Sequence, residues 1–240
     1  MEPEFQREYY MRTSDFDCFG RLQPASVLDL FQDVAGIHAK QLGCGFDDLI
    51  SRKLMWVLVR VKYQVLTEVH MFDKVRVHTW PLAPSRVGFR REYLIEKEDG
   101  TPVVKGSSDW VMMHSENRCL VPAQDVYPEG LEFLTQQSFE GKLRKVADFE
   151  TVGKGYSLQA GFSQLDINGH VNNTKYANFV LDALEPNVAD EIETVQIDYR
   201  HEVKDGTALS IFTERNGKEI LAKGTADDGT VMFMCKMDLK

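Results

Sequence analysis

Residues Phe162–Leu184 read FSQLDINGHVNNTKYANFVLDAL. The first part, Leu165–His170, looks short and extended, with Asp166, Asn168 and His170 at every second position. In an extended segment such residues point to one side, so a carboxylate, an amide and an imidazole would face one space. From Asn172 the spacing predicts a helix. Asn172 or Asn173 supplies a cap, and Tyr176, Phe179, Val180 and Ala183 recur as an apolar face. Backbone N–H groups at that helix start would point toward the polar triad, where a developing oxyanion could be held. Any one of the three polar residues alone reads as a polar turn before a buried helix. All three together, followed by HVNN, favour a functional site.

Working outward from this stretch, four strands are expected after the helix: Thr194–His201, Ala208–Arg215, Glu219–Thr225 and Val231–Leu239. Asn216-Gly217 and Asp228-Gly229 are hairpin signals between them. The first half of the chain follows the same plan. A strand begins near Tyr9–Met11. Pro24 opens a helix carrying Val27, Leu28, Phe31, Val34, Ala35 and His38 at helical spacing, up to a stop near Gly43. Strands are expected over Trp56–Leu66, Val75–Trp80, Gly88–Lys97 and Val103–Met113. A helix followed by a run of strands favours α+β with an antiparallel sheet. The two halves also match in sequence. DCFGRL at 17–22 lies over DINGHV at 166–171 without gaps, and VKY at 61–63 lies over IDY at 197–199. The first copy has Phe19 and Arg21 where the second has Asn168 and His170, so the chemistry-competent copy is the second. Domains are expected at 1–135 and 151–240. The polar segment 136–150, which has no apolar period, is read as a linker.

The 240 residues are 43% hydrophobic and 27% charged, ordinary for a soluble globular chain. No apolar run approaches the roughly 18 residues that span a membrane, and the acidic N-terminus lacks a signal-peptide core. The 4 cysteines, Cys18, Cys44, Cys119 and Cys235, are widely spaced. They fit a reducing cytoplasm better than a disulfide framework or a zinc site. No metal cluster is present, and no cofactor is called for. His38, on an apolar helix face, reads as a packed core histidine rather than a ligand. A net charge of −9 makes a poor general nucleic-acid binder. Two basic clusters stand against that background: Arg86, Arg90 and Arg91, and Lys142, Arg144 and Lys145. Each is by default solvated surface, yet each offers an acidic carrier protein a place to dock.

DINGHVNN at 166–173 resembles the acyl-ACP thioesterases of plants and bacteria, in which a D-x-N-x-H-V-N-N stretch carries catalytic residues. The resemblance continues through MWV at 55–57, HTW at 78–80, RVGFRR at 86–91, SDWVMM at 108–113 and DYRHE at 198–202. As an ordered set these segments are specific. The family's architecture is a double hot-dog, two tandem units that each wrap an antiparallel sheet around a long central helix. The resemblance implies that function: hydrolysis of fatty acyl-ACP to free fatty acid and ACP in fatty acid biosynthesis. An acyl-CoA thioesterase is the nearest alternative, and a non-catalytic acyl- or carrier-binding hot-dog protein the next.

By resemblance the catalytic set is Asp166, Asn168, His170 and Glu202. Many relatives carry a Cys after that Glu, proposed as a nucleophile; here the position is Val203, which argues against a Cys–His mechanism. Thioester hydrolysis needs a nucleophile, a base to generate it and donors for the oxyanion. Glu202 can act as base toward water, and His170 can orient that water or protonate the thiolate. Asn168 can donate to the oxyanion or fix a carboxylate. Asp166 either attacks directly or orients its neighbours. Again by resemblance, the acyl slot lies in the N-terminal unit, between its helix and sheet, with Val27, Phe31, Met55 and Trp56 as candidates. Two units in one chain can replace a dimer of single units, so either a monomer or a homodimer is expected.

Overall fold

A computed structural model describes residues 2–123, 126–185 and 192–240. The chain divides into two compact units. One comprises Met1–Leu22 with Val27–Leu143, the other Gln23–Ser26 with Arg144–Lys240.

The first unit holds β1 (Phe5–Tyr10), α1 (Pro24–Gln41), α2 (Phe46–Ser51), β2 (Leu54–Val65), β3 (Lys74–Pro81), β4 (Gly88–Lys97) and β5 (Pro102–His114). Its strands run antiparallel in the order β1-β3-β4-β5-β2. Pro24 starts α1 as the sequence predicts. The helix ends where the Cys44 N–H reaches the Ala39 carbonyl and the Gly43 N–H reaches Lys40, with Gly43 at φ +70°. That is a Schellman stop. Val27, Leu28, Phe31 and Val34 are buried, so this face of α1 drives its docking. Phe31 stacks on Tyr93 with ring centroids 4.2 Å apart. It presses so closely on Gly106 of β5 that a Cβ there would lie 2.2 Å from the ring. His38 is fully buried, as expected of a core histidine.

The second unit holds β6 (Tyr156–Gln159), α3 (Tyr176–Asp182), β7 (Ile192–Tyr199), β8 (Ala208–Asn216), β9 (Glu219–Ala226) and β10 (Val231–Leu239). The order is β7-β10-β9-β8-β6, again antiparallel. Asn216-Gly217 closes the β8–β9 hairpin, with Asn216 opposite Glu219. Each unit is thus a helix on an antiparallel sheet, the α+β hot-dog arrangement. One expectation needs correction. The helix over 172–184 is not long: a 3-10 turn at Asn173–Lys175 leads into an α3 of 7 residues.

The stretch 136–150 is not a free linker. Its first half is an extended strap against the first unit. Trp80 Nε1 donates to the Gln136 carbonyl at 2.9 Å, Arg90 to the carbonyls of Phe139 (3.0 Å) and Gly141, and Arg60 to Leu143 (2.8 Å). The second half lies against the second unit. Gln196 Nε2 donates to the Arg144 carbonyl at 2.7 Å, and the Val146 N–H donates to Asp198 at 2.9 Å. Leu143 and Val146 are buried. A single extended chain held by side-chain donors and acceptors leaves no apolar period to read.

Candidate active site

The residues 165–171 form a tight hairpin rather than an extended run. Leu165 and Val171 make an antiparallel bridge. The Asp166 N–H donates to the His170 carbonyl (2.8 Å) and the Gly169 N–H to the Asp166 carbonyl (3.0 Å). Gly169 sits at φ +74°, where a side chain would be strained. Within the turn, the Asp166 carboxylate accepts the Asn168 backbone N–H at 2.8 Å, and the Asn168 amide lies 3.4 Å from its other oxygen. Such an Asx turn is a local preference of Asp. Asp166 and Asn168 therefore come together through a turn, not through pleat alternation, and His170 stands on the returning arm.

The returning arm meets the chain beyond β7. His170 bridges Lys204, and the Val171 N–H donates to the Val203 carbonyl at 2.8 Å. This register brings His170 Nε2 to 3.2 Å from Glu202 Oε2. The His170 side chain is 19% exposed and that of Glu202 36%, so the pair is open to a substrate. The four residues thus form two contacting pairs, the local Asp166–Asn168 and the sequence-distant His170–Glu202. At the helix start, the Thr174 N–H donates to the Asn172 side chain (3.0 Å) and the Lys175 N–H to the Asn172 carbonyl (2.9 Å), so these two N–H groups are engaged within the turn. Sequence reasoning took Tyr176 only as a core residue. It is buried at the start of α3, edge-on to Tyr199 and Phe233.

The first unit repeats the hairpin with different chemistry. Phe16 bridges Leu22, the Asp17 N–H donates to the Arg21 carbonyl (2.9 Å) and the Gly20 N–H to the Asp17 carbonyl (3.0 Å). Gly20 has φ +77°. Here the Asp17 carboxylate is closed by Arg21 Nε at 2.6 Å, and that guanidinium lies over Phe19. The turn preceding each hairpin is also shared. Arg12 N–H donates to the Asp15 side chain at 2.6 Å, and Gly161 N–H to that of Gln164 at 2.9 Å.

Of the residues expected at an acyl slot, Val27 and Phe31 are packed in the first unit's core. Met55 and Trp56 are strand neighbours and point to opposite faces of β2, so they do not line one slot. Trp56 joins an aromatic cluster: it meets Phe89 edge-on at 4.8 Å and lies 6.3 Å from Tyr127, and its Nε1 donates to the Cys44 carbonyl at 2.9 Å. Tyr127 and Phe133, which sequence reasoning did not single out, continue the cluster into an open cleft of about 400 Å³.

The first basic cluster is largely internal. Arg91 is 6% exposed and bonds His38 Nδ1 (3.1 Å) and Thr79 (3.2 Å). Arg90 pairs with the fully buried Glu92 at 2.7 Å while holding the strap. Neither can present its charge to a partner. Arg86, Lys142, Arg144 and Lys145 are exposed. Among the described residues no group of three or more His, Cys, Asp or Glu is arranged to hold a metal, and no helix is long and apolar enough to cross a membrane.

Two family models match the chain: the acyl-ACP thioesterase N-terminal domain over residues 2–131 and its C-terminal domain over 150–232. The chain belongs to the acyl-ACP thioesterase family. It is 28% identical over 226 residues to oleoyl-acyl carrier protein thioesterase 2, chloroplastic, of Arabidopsis thaliana, covering 85% of this chain and 61% of that protein. It is 27% identical over 241 residues to the palmitoyl-acyl carrier protein thioesterase, chloroplastic, of the same plant, covering 93% and 58%. The chain thus spans about three fifths of the length of these curated relatives. Among solved structures, an acyl-ACP thioesterase from Bacteroides thetaiotaomicron superposes with a TM-score of 0.87 at 23% identity, covering 99% of this chain and 98% of that one. The 12:0-ACP thioesterase from Umbellularia californica gives 0.86 at 22%, covering 100% and 98%. These likenesses establish the fold shared with the thioesterase family.

Proposed function

We propose that this chain hydrolyses the thioester of fatty acyl-ACP, releasing free fatty acid and ACP in fatty acid biosynthesis. The observation that carries the reading is the His170–Glu202 pair at 3.2 Å, standing beside the Asp166–Asn168 turn. Glu202 takes a proton from water as that water attacks the thioester carbonyl. His170 receives that proton from Glu202 across their 3.2 Å contact and passes it to the departing thiolate as the C–S bond breaks. The Asn168 amide is the side-chain donor available to the tetrahedral oxyanion. Asp166, engaged by its own turn, shapes this arrangement rather than attacking. In this reading the catalytic residues all belong to the second unit.

ACP is the donor in this reading because it is acidic and the exposed Arg86, Lys142, Arg144 and Lys145 offer it positive charge. The cytoplasm is the compartment, consistent with four free cysteines, and the chain works as a monomer or a homodimer. The test is thiol release from acyl-ACP and from acyl-CoA, each with a no-enzyme control. Higher kcat/KM on acyl-ACP, falling as salt is raised, is expected. Equal efficiency on both donors at low salt defeats the ACP preference. No release from either defeats the enzyme.

A further inference from the structure

His170 and Glu202 ride on two segments of the second unit, 170–173 and 199–204. Tyr199 is the last residue of β7, opposite Phe233 of β10. Beyond it the chain leaves that ladder: the N–H groups of Arg200 and His201 both turn to the Met232 carbonyl, at 2.9 and 3.1 Å. Glu202 therefore lies outside the β7–β10 pairing, and its place depends on how its segment is held against the one that carries His170. The main chains of the two segments meet at the His170–Lys204 bridge, where the Val171 N–H donates to the Val203 carbonyl at 2.8 Å. A side chain joins them at their other end: the Tyr199 hydroxyl donates to the Asn173 carbonyl at 2.9 Å. Tyr199 precedes Glu202 by three residues and Asn173 follows His170 by three, so the bond stands as close along the chain to one member of the pair as to the other.

Packing accounts for the aromatic ring but not for its hydroxyl. The Tyr199 ring meets Tyr176 edge-on at 5.3 Å. Its counterpart in the first unit, Tyr63, likewise meets Phe31 edge-on, at 6.4 Å, although that unit lacks the His–Glu pair. The ring thus belongs to the fold common to both units. A role in the site can rest only on the hydroxyl and its bond to Asn173.

We infer that Tyr199 is a positioning residue whose hydroxyl, bonded to the Asn173 carbonyl, holds the segment that carries Glu202 against the segment that carries His170. The inference rests on the thioesterase reading for its kinetic consequence. Tyr199→Phe keeps the ring and removes the bond. Its kcat should fall about 10–100-fold, the cost of a small misplacement of reacting groups, with KM changed less than about twofold. In a Glu202→Gln background the same change should cost less than about twofold, because the group it positions is already gone. Tyr63→Phe, the matching change in the unit without the pair, should leave kcat within about twofold. Amide exchange gives a readout independent of turnover. Tyr199→Phe should speed exchange at Val171, whose N–H crosses between the two segments, and spare Asp166, whose N–H is bonded inside the hairpin. An unchanged kcat, an equal loss in both backgrounds, an equal loss from Tyr63→Phe, or undiminished protection of Val171 overturns the proposal. A wild-type chain that releases no thiol defeats the thioesterase reading instead, and the exchange experiment then decides the role of Tyr199.

Discussion

His170 Nε2 lies 3.2 Å from Glu202 Oε2, while the Asp166 carboxylate is bonded within its own turn to Asn168. The two carboxylates of the site therefore have different partners. Glu202 faces the imidazole; Asp166 holds a loop in shape.

Glu202→Gln should lower kcat/KM about 10²–10⁴-fold, because the amide keeps the shape but cannot take a proton. Asp166→Asn should lose less, since an amide oxygen still accepts the Asn168 N–H. Single turnover in heavy-oxygen water separates the two roles. Label is expected in the released acid alone; label in the Asp166 carboxylate would show direct attack.

A variant with all four cysteines replaced should retain most activity. Burial pushes the Cys44 thiol up to about 11, and burial together with Asp198 raises that of Cys235 further. A thiol held protonated is a poor nucleophile. Cys18 and Cys119 are exposed, and neither follows Glu202. Inactivation by a thiol reagent that marks one cysteine and spares the fold would refute this.

Arg90→Ala should destabilise the protein by about 3–5 kcal/mol in urea unfolding, because the buried Glu92 loses its counter-charge and keeps only the neutral donors Ser107 Oγ and Ser138 N–H. Arg86→Ala, at an exposed position, should stay within about 0.5 kcal/mol. Equal stability of the two variants would contradict the internal role of Arg90.

His38 should make the first unit sensitive to acid. Burial, and then the Arg91 charge, lower its pKa from 6.5 to about 4. The unfolded chain takes up that proton near pH 6.5 and the folded chain only near 4, so the unfolded state binds more protons between. The stabilisation is full above about pH 6.5 and is lost as pH falls toward 4, by up to about 3 kcal/mol. His38→Gln should flatten the urea-midpoint slope in that window. A slope identical to wild type would count against it.

Much of this was readable from residue order. Apolar alternation and the Asn216-Gly217 turn located the strands, and Pro24 and Gly43 bracketed α1. The matched DCFGRL and DINGHV segments located both hairpins. The turn itself was missed because Asp166, Asn168 and His170 alternate as a strand would, while Gly169 at positive φ reverses the chain. Arg91 was misread by its type. Its place between Phe89 and Tyr93, both inward on β4, puts it inside by parity. The same parity separates Met55 from Trp56. β1 before Tyr9, α2 and β6 were also unread. β6 is 4 residues long and mostly exposed, and so short a strand carries little pattern. The strap over 136–150 depends on donors and acceptors from distant strands, which no local pattern encodes.

The paired hairpins also bear on reversibility. Placing Asn at Phe19 and His at Arg21 would not by itself create the pair in the first unit. Leu66, which falls on Glu202 when the units are counted on from Tyr63 and Tyr199, would also have to become an acid. Each step alone brings no gain. The two hairpins therefore share a backbone without being interchangeable: no single substitution converts one into the other.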